Sequence, residues 1–224
     1  MAKIYYKISA FFLILSILLF SIFSIVNNIS FYEKQYLYNN TTFETGMSIE
    51  SLNESTKLLL DYLNDKTDDL SMQTEKFGEI SEVFDEREKA HMIDVKNLYL
   101  FFMNMMYILF GISVFLIIYL FKKDKKKIFW NNFYSAYKFS TILMEIIVCI
   151  VIFAFIYDFN SFWTLFHKIL FTNDLWLLDP RVSTMINMFP LNFFLSMCTK
   201  IVYQFSAIFI LIFAFTAFMH QKHI

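Results

Sequence analysis

The chain has very little glycine, proline or cysteine: three Gly, two Pro and two Cys among 224 residues. This scarcity excludes a collagen-like chain, a low-complexity linker and a small domain held by disulfides. Charged residues are also few, at 17%, against about 25% in ordinary soluble domains. Hydrophobic residues instead make up 58% of the chain and aromatic residues 21%, including 30 Phe. So few polar side chains cannot cover a soluble globule, which indicates a membrane protein.

Four apolar runs are long enough to cross a bilayer, which takes about 20 residues in a helix. They are Ile8–Val26, Leu98–Phe121, Phe139–Tyr157 and Ile201–Met219. We expect helices because lipid offers no hydrogen-bond partners to an open backbone. The first run is longer than a typical signal-peptide core and lacks a small-residue cleavage site, so we interpret it as an uncleaved span. Glu145 is the one charged residue within these runs, and we expect it to be paired, to snorkel or to be functional.

The charges are distributed unevenly between the segments that connect the spans. Segments 1–7, 122–138 and 220–224 hold nine Lys/Arg and one acidic residue, whereas segments 27–97 and 158–200 hold ten Lys/Arg and 18 acidic residues. Because basic residues collect on the cytoplasmic side, the first three segments are predicted to be cytoplasmic, with both termini. The fold class is therefore predicted as an all-α integral membrane protein of four transmembrane helices, with a small extracellular subdomain and a membrane-hugging outer loop.

The predicted organisation has five segments. In chain order these are a cytoplasmic N-terminus with the first span (1–26), an acidic extracellular subdomain (27–97), the second and third spans with a basic cytoplasmic loop (98–157), an outer interfacial loop (158–200), and the fourth span with a cytoplasmic tail (201–224). The two cysteines, Cys149 and Cys198, fall in or beside apolar runs. We expect them to be free and buried rather than to form a disulfide or a metal pair.

Local patterns predict the elements of the acidic subdomain. Apolar residues at helical spacing favour a helix over Ser51–Asn64, and loose alternation favours a strand over Phe31–Tyr38. Residues 65–80 are polar, with a turn expected at Gly78. A helix over Asp85–Lys96 is expected to begin with a capping box and to continue into the second span.

The outer loop 158–200 is apolar for a loop, since only six of its 43 residues are charged. We expect it to lie on the membrane or to dip into the outer leaflet, with Trp163 and Trp176 at the interface. Trp163, Phe166, Ile169, Leu170 and Phe171 have a spacing that would bury one side of a short helix.

Familiar catalytic motifs are missing from the sequence, including the serine-hydrolase elbow, the zinc-protease helix and phosphate-binding glycine loops. His91 and His167 are both expected near the outer lipid boundary, where histidine can exchange protons at neutral pH. Glu88 and Asp94 share a helix face with His91. These residues predict an acid–base site. The alternatives are that each histidine only hydrogen-bonds across an interface, or that both bind zinc, although their spacing resembles no known zinc pattern.

Two long segments carry a resemblance to a known family. Phe84–Lys96 resembles an F-x-x-R-E-x-x-H-M-x-D-V motif, and Phe166–Arg181 resembles the second motif of the same bacterial membrane family, which Met188–Phe194 follows in the expected way. This family includes the lipoprotein intramolecular transacylases of low-GC Gram-positive bacteria, and the resemblance covers essentially the whole chain. Ser183 departs from it, because an acidic residue is expected there.

The resemblance implies a reaction and a site. The acyl chain on the sn-2 oxygen of a diacylglyceryl-cysteine lipoprotein moves to the α-amine of the same cysteine, giving the lyso-form. The family's two functional histidines map onto His91 and His167. The implied enzyme needs no cofactor or metal, takes lipoproteins and membrane lipid as partners, and works on the extracellular face of the bacterial cytoplasmic membrane. No support for nucleic-acid binding is found.

We expect further residues to assist this chemistry. Supporting acids or orienting groups are Asp94, Glu88, Asp174 and Asp179, and oxyanion or substrate contacts are Arg181, Asn173 and Trp176. Other readings stay open: a capping role for Glu88, a turn at Asp179, and an ion pair of Arg181 with Asp174 or Asp179. The rival functions are a non-enzymatic lipid-binding or sensing protein, and a lipid hydrolase or an acyltransferase with a separate donor.

Overall fold

The computed structural model describes residues 2–223. Met1, which begins the predicted first segment, and Ile224, which ends the predicted last segment, lie outside the described residues. Within this range the chain forms nine helices and one two-stranded antiparallel sheet. The elements are α1 (Ala2–Val26), α2 (Ile29–Tyr38), α3 (Thr41–Thr45), α4 (Ile49–Leu63), β1 (Gln73–Lys76), β2 (Glu79–Glu82), α5 (Glu86–Lys123), α6 (Lys126–Tyr157), α7 (Phe159–Leu170), α8 (Thr184–Met188) and α9 (Leu191–Lys222).

Four of these helices, α1, α5, α6 and α9, are long and apolar enough to cross a membrane. Each contains one of the four predicted apolar runs, so the prediction of four spans is confirmed. At 1.5 Å per residue the 38 residues of α5 extend about 57 Å, almost twice the hydrocarbon thickness of a bilayer. The apolar run of α5 begins at Leu98, and the residues before Leu98 therefore lie outside the spanning part.

The chain divides into two compact units. Among the described residues, the first comprises α1 up to Ile22, Met103–Thr164, and residues 201–223. Its core is largely aromatic and consists of Tyr6, Ala10, Ile14, Ile17, Leu120, Phe129, Trp130, Phe133, Ala136, Tyr137, Met144, Phe205 and Phe209. Polar contacts supplement this packing, as the Tyr6 hydroxyl donates to Asp124 at 2.6 Å. Glu145 is exposed on α6, and its pairing or snorkelling stays a prediction.

The two cysteines are free, as predicted, but both are exposed rather than buried. Cys149 lies in α6 and Cys198 in α9. The prediction of burial was wrong because it assumed that an apolar residue must be covered by protein. On a helix that crosses a membrane, lipid surrounds the side chains that other helices leave uncovered.

The second unit comprises Phe23–Phe102 and Leu165–Lys200. Its helix α4 confirms the predicted helix, and the Ser48 side chain caps it by accepting a hydrogen bond from the Ser51 N–H at 3.1 Å. Strands β1 and β2 form a hairpin with Lys76 opposite Glu79. The turn predicted at Gly78 is confirmed: Phe77 and Gly78 have φ angles of 52° and 86°, as a tight two-residue hairpin turn requires. The strands themselves were not predicted.

The predicted strand over Phe31–Tyr38 is wrong, because this segment is helix α2. Phe31, Tyr32 and Tyr36 are its buried residues. These three positions fall within one arc of a helix, whereas in a strand Phe31 and Tyr32 would point to opposite faces. Burial of that arc against Phe193, whose ring lies 5.3 Å from the rings of both Phe31 and Tyr32, overrides the strand preference of aromatic residues.

Candidate functional site

Two histidines from distant parts of the sequence meet in the second unit. His91 lies in the second turn of α5 and His167 in the last turn of α7. Their ring centroids are 6.2 Å apart and their planes are inclined by 37°. Both are buried, with 7% of His91 and 5% of His167 exposed. The two imidazoles are therefore neighbours and are largely shielded from bulk water.

Aromatic side chains hold the two imidazoles. Phe171 contacts both: its ring centroid lies 5.2 Å from that of His91 and 5.7 Å from that of His167. Trp176 stacks on His167 at 4.7 Å. Buried aromatic packing of this kind restricts the ring orientations without using the nitrogen atoms of the rings.

Burial keeps His91 in its neutral form. Burial lowers its pKa from the ordinary 6.5 to about 4, and the neighbouring His167 adds to this effect, while the charge of Asp94 opposes it. The imidazole is therefore neutral at physiological pH. Its Nδ1 is buried and has no hydrogen-bond partner within residues 2–223. A buried ring nitrogen without a partner is costly.

Asp94, Asn173 and Trp176 connect the segments that carry the two histidines. The Asn173 amide donates to Asp94 Oδ2 at 2.8 Å, and the Trp176 indole donates to the Asn173 carbonyl at 3.0 Å. Asp94 follows His91 by almost one turn of α5, and Trp176 stacks on His167. The sequence predicted Asn173 and Trp176 as oxyanion or substrate contacts. The structure places both in a hydrogen-bond network beside the imidazoles.

A cavity of about 310 Å³ lies beside this network. One part of its wall is polar and the other is apolar; the lining residues are Asp94, Asn97, Leu98, Phe101, Leu170, Phe171, Thr172 and Asn173. Its volume is at the lower end of the range for small-molecule sites. Phe171 lines the cavity and also contacts His91, so the cavity adjoins the histidine pair.

Glu88 is almost completely buried, with 1% of its surface exposed. Its Oε2 accepts from the Asp85 N–H at 2.8 Å while Asp85 Oδ1 accepts from the Glu88 N–H at 2.8 Å, which confirms the predicted capping box. Its Oε1 accepts from the Ser183 hydroxyl at 2.5 Å and from the Met185 N–H at 2.8 Å. These contacts occupy both carboxylate oxygens with groups other than His91. Ser183, which stands where the resemblance predicts an acidic residue, is one of the donors to this carboxylate.

We expect Glu88→Ala to lower stability strongly. It leaves two backbone N–H groups and one hydroxyl without their acceptor, at a cost of about 1–3 kcal/mol for each buried group. The thermal unfolding midpoint in detergent should fall by at least about 6 °C, since each kcal/mol lowers it by about 2–4 °C in a chain of this size. Glu86→Ala is the matched control, because the Glu86 side chain on the same helix turn is 93% exposed and should shift the midpoint little. Equal shifts for the two variants would contradict this assignment.

Arg181, Asp179 and Asp174 lie in the loop between α7 and α8. Arg181 pairs with Asp179, since its Nη2 donates to Oδ2 at 2.6 Å. Of the two predicted ion-pair partners, Asp174 and Asp179, the structure therefore shows Asp179. The guanidinium holds the pKa of Asp179 below its usual range. The Asp179 carboxylate also accepts from the Arg181 N–H, as in the predicted turn. Asp174 contributes its backbone carbonyl, which accepts from Arg87 Nη2.

Two residues at the site were not singled out from the sequence. Phe171 lines the cavity and contacts both histidines, and Arg87 ties α5 to the loop that carries Asp174. Arg87 lies in the first quoted motif and Phe171 in the second. Their place in these motifs was the only feature of the sequence that could have indicated a role at the site. Within residues 2–223, no group of three or more His, Cys, Asp or Glu side chains is arranged to hold a metal ion.

Comparisons with known proteins agree with one another. The family model for the lipoprotein intramolecular transacylase Lit matches residues 7–194. The membrane-integral Lit of Bacillus cereus has a similar structure, with a TM-score of 0.81 and 23% identity, over 99% of this chain and 97% of that one. Two variants of the Bacillus cereus protein, with one histidine replaced by arginine or by alanine, have TM-scores of 0.76 at 22% identity over 99% of this chain and 93% and 94% of theirs. No curated protein matches the sequence.

The structural likeness shows a shared fold, and it includes all four spans and the small subdomain. The family model reaches from the first span to the beginning of α9 and includes both histidine motifs. The match therefore covers most of the chain, and the chain belongs to the lipoprotein intramolecular transacylase (Lit) family.

Proposed function

We propose that His91 and His167 are the acid–base pair with which this membrane acyltransferase moves the sn-2 acyl chain of a diacylglyceryl-cysteine lipoprotein to the α-amine of the same cysteine. The observation that carries this proposal is the meeting of two buried imidazoles, 6.2 Å apart, from the two motifs of the family. The product is the lyso-form lipoprotein. The enzyme needs no nucleophile of its own, because the substrate amine attacks the substrate ester.

The proton balance of this reaction suits two histidines. The α-amine attacks the sn-2 ester carbonyl, and the nitrogen loses one proton as the new amide bond forms. The bond between the carbonyl carbon and the glyceryl oxygen then breaks, and that oxygen gains one proton. We assign the first transfer to neutral His91 as general base and the second to His167 as general acid. A proton passing from one ring to the other restores the starting state.

The supporting residues take roles that follow from their contacts. Asp94 stabilises the charged form of His91, since its charge raises the pKa of that group. Asn173 and Trp176 position the pair. Arg181 is 85% exposed and donates to Asp179 through Nε and Nη2, so an oxyanion role would fall to its remaining N–H groups.

We place the site on the extracellular face of the bacterial cytoplasmic membrane, with both termini in the cytoplasm. The uneven distribution of basic residues supports this orientation. His91 precedes Leu98, where the apolar run begins, by about 10 Å along α5. In α7 the buried residue is His167, whereas Leu165, Phe166 and Ile169 are 57%, 39% and 72% exposed. The prediction that Phe166 and Ile169 lie on the buried side of this helix was therefore wrong. The exposed apolar face that they form with Leu165 is suited to contact with lipid.

Incubation of the purified protein with a single defined diacyl lipopeptide tests the function. We expect a lyso-form lipopeptide of unchanged total mass, carrying the acyl chain on nitrogen, as tandem mass spectrometry can identify. No acyl donor should be needed and no fatty acid should be released. Released fatty acid would favour a hydrolase, a requirement for added phospholipid would favour an acyltransferase with a separate donor, and an unchanged lipopeptide would favour a lipid-binding protein.

A further inference from the structure

The cavity beside the histidine pair combines a carboxylate with a hydrophobic wall. Asp94, Asn97 and Asn173 provide polar groups, whereas Leu98, Phe101 and Leu170 provide apolar ones. A partly enclosed carboxylate attracts a cation and repels an anion such as a lipid phosphate. The apolar wall favours a hydrocarbon chain. The cavity therefore suits a molecule with a cationic group close to an alkyl chain.

We propose that this cavity binds the α-ammonium group of the lipidated cysteine, with Asp94 as its acceptor, and that its apolar wall receives the beginning of an acyl chain. This inference rests on the proposed function and names the part of the substrate that the cavity selects. Asn173 uses one oxygen of Asp94 at 2.8 Å, and a carboxylate has acceptor capacity for more than one donor. An N-acylated cysteine, which has no ammonium group, is thereby rejected.

The position of the cavity explains how binding would lead into reaction. Asp94 follows His91 by almost one turn of α5, which places the ammonium close to the general base. Phe171 lines the cavity and packs against His91 at 5.2 Å. The ammonium first loses one proton to solvent and becomes the free amine that attacks the ester, and His91 then takes the second proton from the nitrogen as the amide bond forms. Binding at Asp94 thus selects the free N-terminus and places it beside the general base.

Binding of an unreactive analogue tests this inference. The probe is a peptide whose N-terminal cysteine carries a dialkylglyceryl thioether, in which ether bonds replace both esters, with its N-terminus either free or acetylated. Binding is measured by isothermal titration calorimetry in detergent micelles. We expect the wild-type protein to bind the free amine about tenfold or more tightly than the acetylated form, as for a charge-assisted hydrogen bond. A wild-type ratio near one overturns the inference without any variant.

Variants assign the preference to the cavity. Asp94→Asn keeps an oxygen that can accept from Asn173, and it should bring the affinity ratio close to one. Glu86→Gln removes a similar charge at an exposed position of the same helix and should keep the ratio. A ratio that Asp94→Asn leaves unchanged overturns the assignment of the ammonium to this carboxylate.

A second variant tests the apolar wall independently of Asp94. Leu98→Trp should fill part of the cavity and weaken both forms of the probe by about tenfold. Ile108→Trp, at a position on α5 that is 61% exposed, is its control and should not change either affinity. Unchanged affinities for Leu98→Trp overturn the placement of the chain. Because the probe has no ester, these results are independent of whether the histidines perform the chemistry.

Discussion

His91→Ala should abolish the conversion of a diacyl lipopeptide into its lyso-form. A general base that takes a proton from the attacking group contributes about 10²- to 10⁴-fold to the rate, and alanine provides no replacement. The structure supports the loss physically, because burial keeps His91 neutral by lowering its pKa to about 4. The rate of lyso-form production, followed by mass spectrometry of the purified variant with a defined lipopeptide, measures the effect.

The control for His91→Ala is a histidine substitution away from the site. His223 follows α9 near the end of the chain, and His223→Ala should keep the wild-type rate. The thermal unfolding midpoint of each variant separates loss of chemistry from loss of structure. If the His91→Ala protein were folded and kept its full rate, His91 would not be the base. That result would refute the role of His91 and would leave the transacylase activity of the protein untouched.

His167→Ala should reduce the rate strongly, by about 10²-fold or more, while expression and folding persist. His167 would protonate the glyceryl oxygen as it leaves, and an alkoxide leaves poorly without a proton. Its substitution also removes the ring on which Trp176 stacks at 4.7 Å and shifts the polarity next to His91. The same lipopeptide assay measures the rate, with Trp176→Phe as a variant that retains an aromatic ring against His167.

An activated substrate separates the roles of the two histidines. If a substituted phenol of low pKa replaces the sn-2 alcohol, the leaving oxygen no longer needs a general acid. This substrate should restore much of the rate of His167→Ala but little of the rate of His91→Ala. The reverse result would exchange the two roles. An equal loss with both substrates would show that His167 acts only by positioning its neighbours.

Much of the fold could be predicted because it depends on local patterns. A run of about 20 apolar residues must form a helix in lipid, and four such runs predicted four spans. The capping box at Asp85 and Glu88 depends on residues three positions apart, and its two hydrogen bonds are present. Helix α2 was missed because the short range of the pattern does not reveal which aromatic face will be buried. The strands of the hairpin were missed because their residues are mostly polar and lack the β-branched and aromatic pattern of a strand.

The site divides in the same way between local and distant contacts. The sequence by itself determined which residue types could do the chemistry, because two motifs place His91 and His167 in segments that the apolar runs leave outside the spans. Only the tertiary structure decided that the two rings meet, that Glu88 holds the segment of Ser183 and Met185, and that Arg181 pairs with Asp179. These outcomes depend on contacts between residues far apart in the chain, whose distances arise from the packing of the whole unit and not from any local spacing.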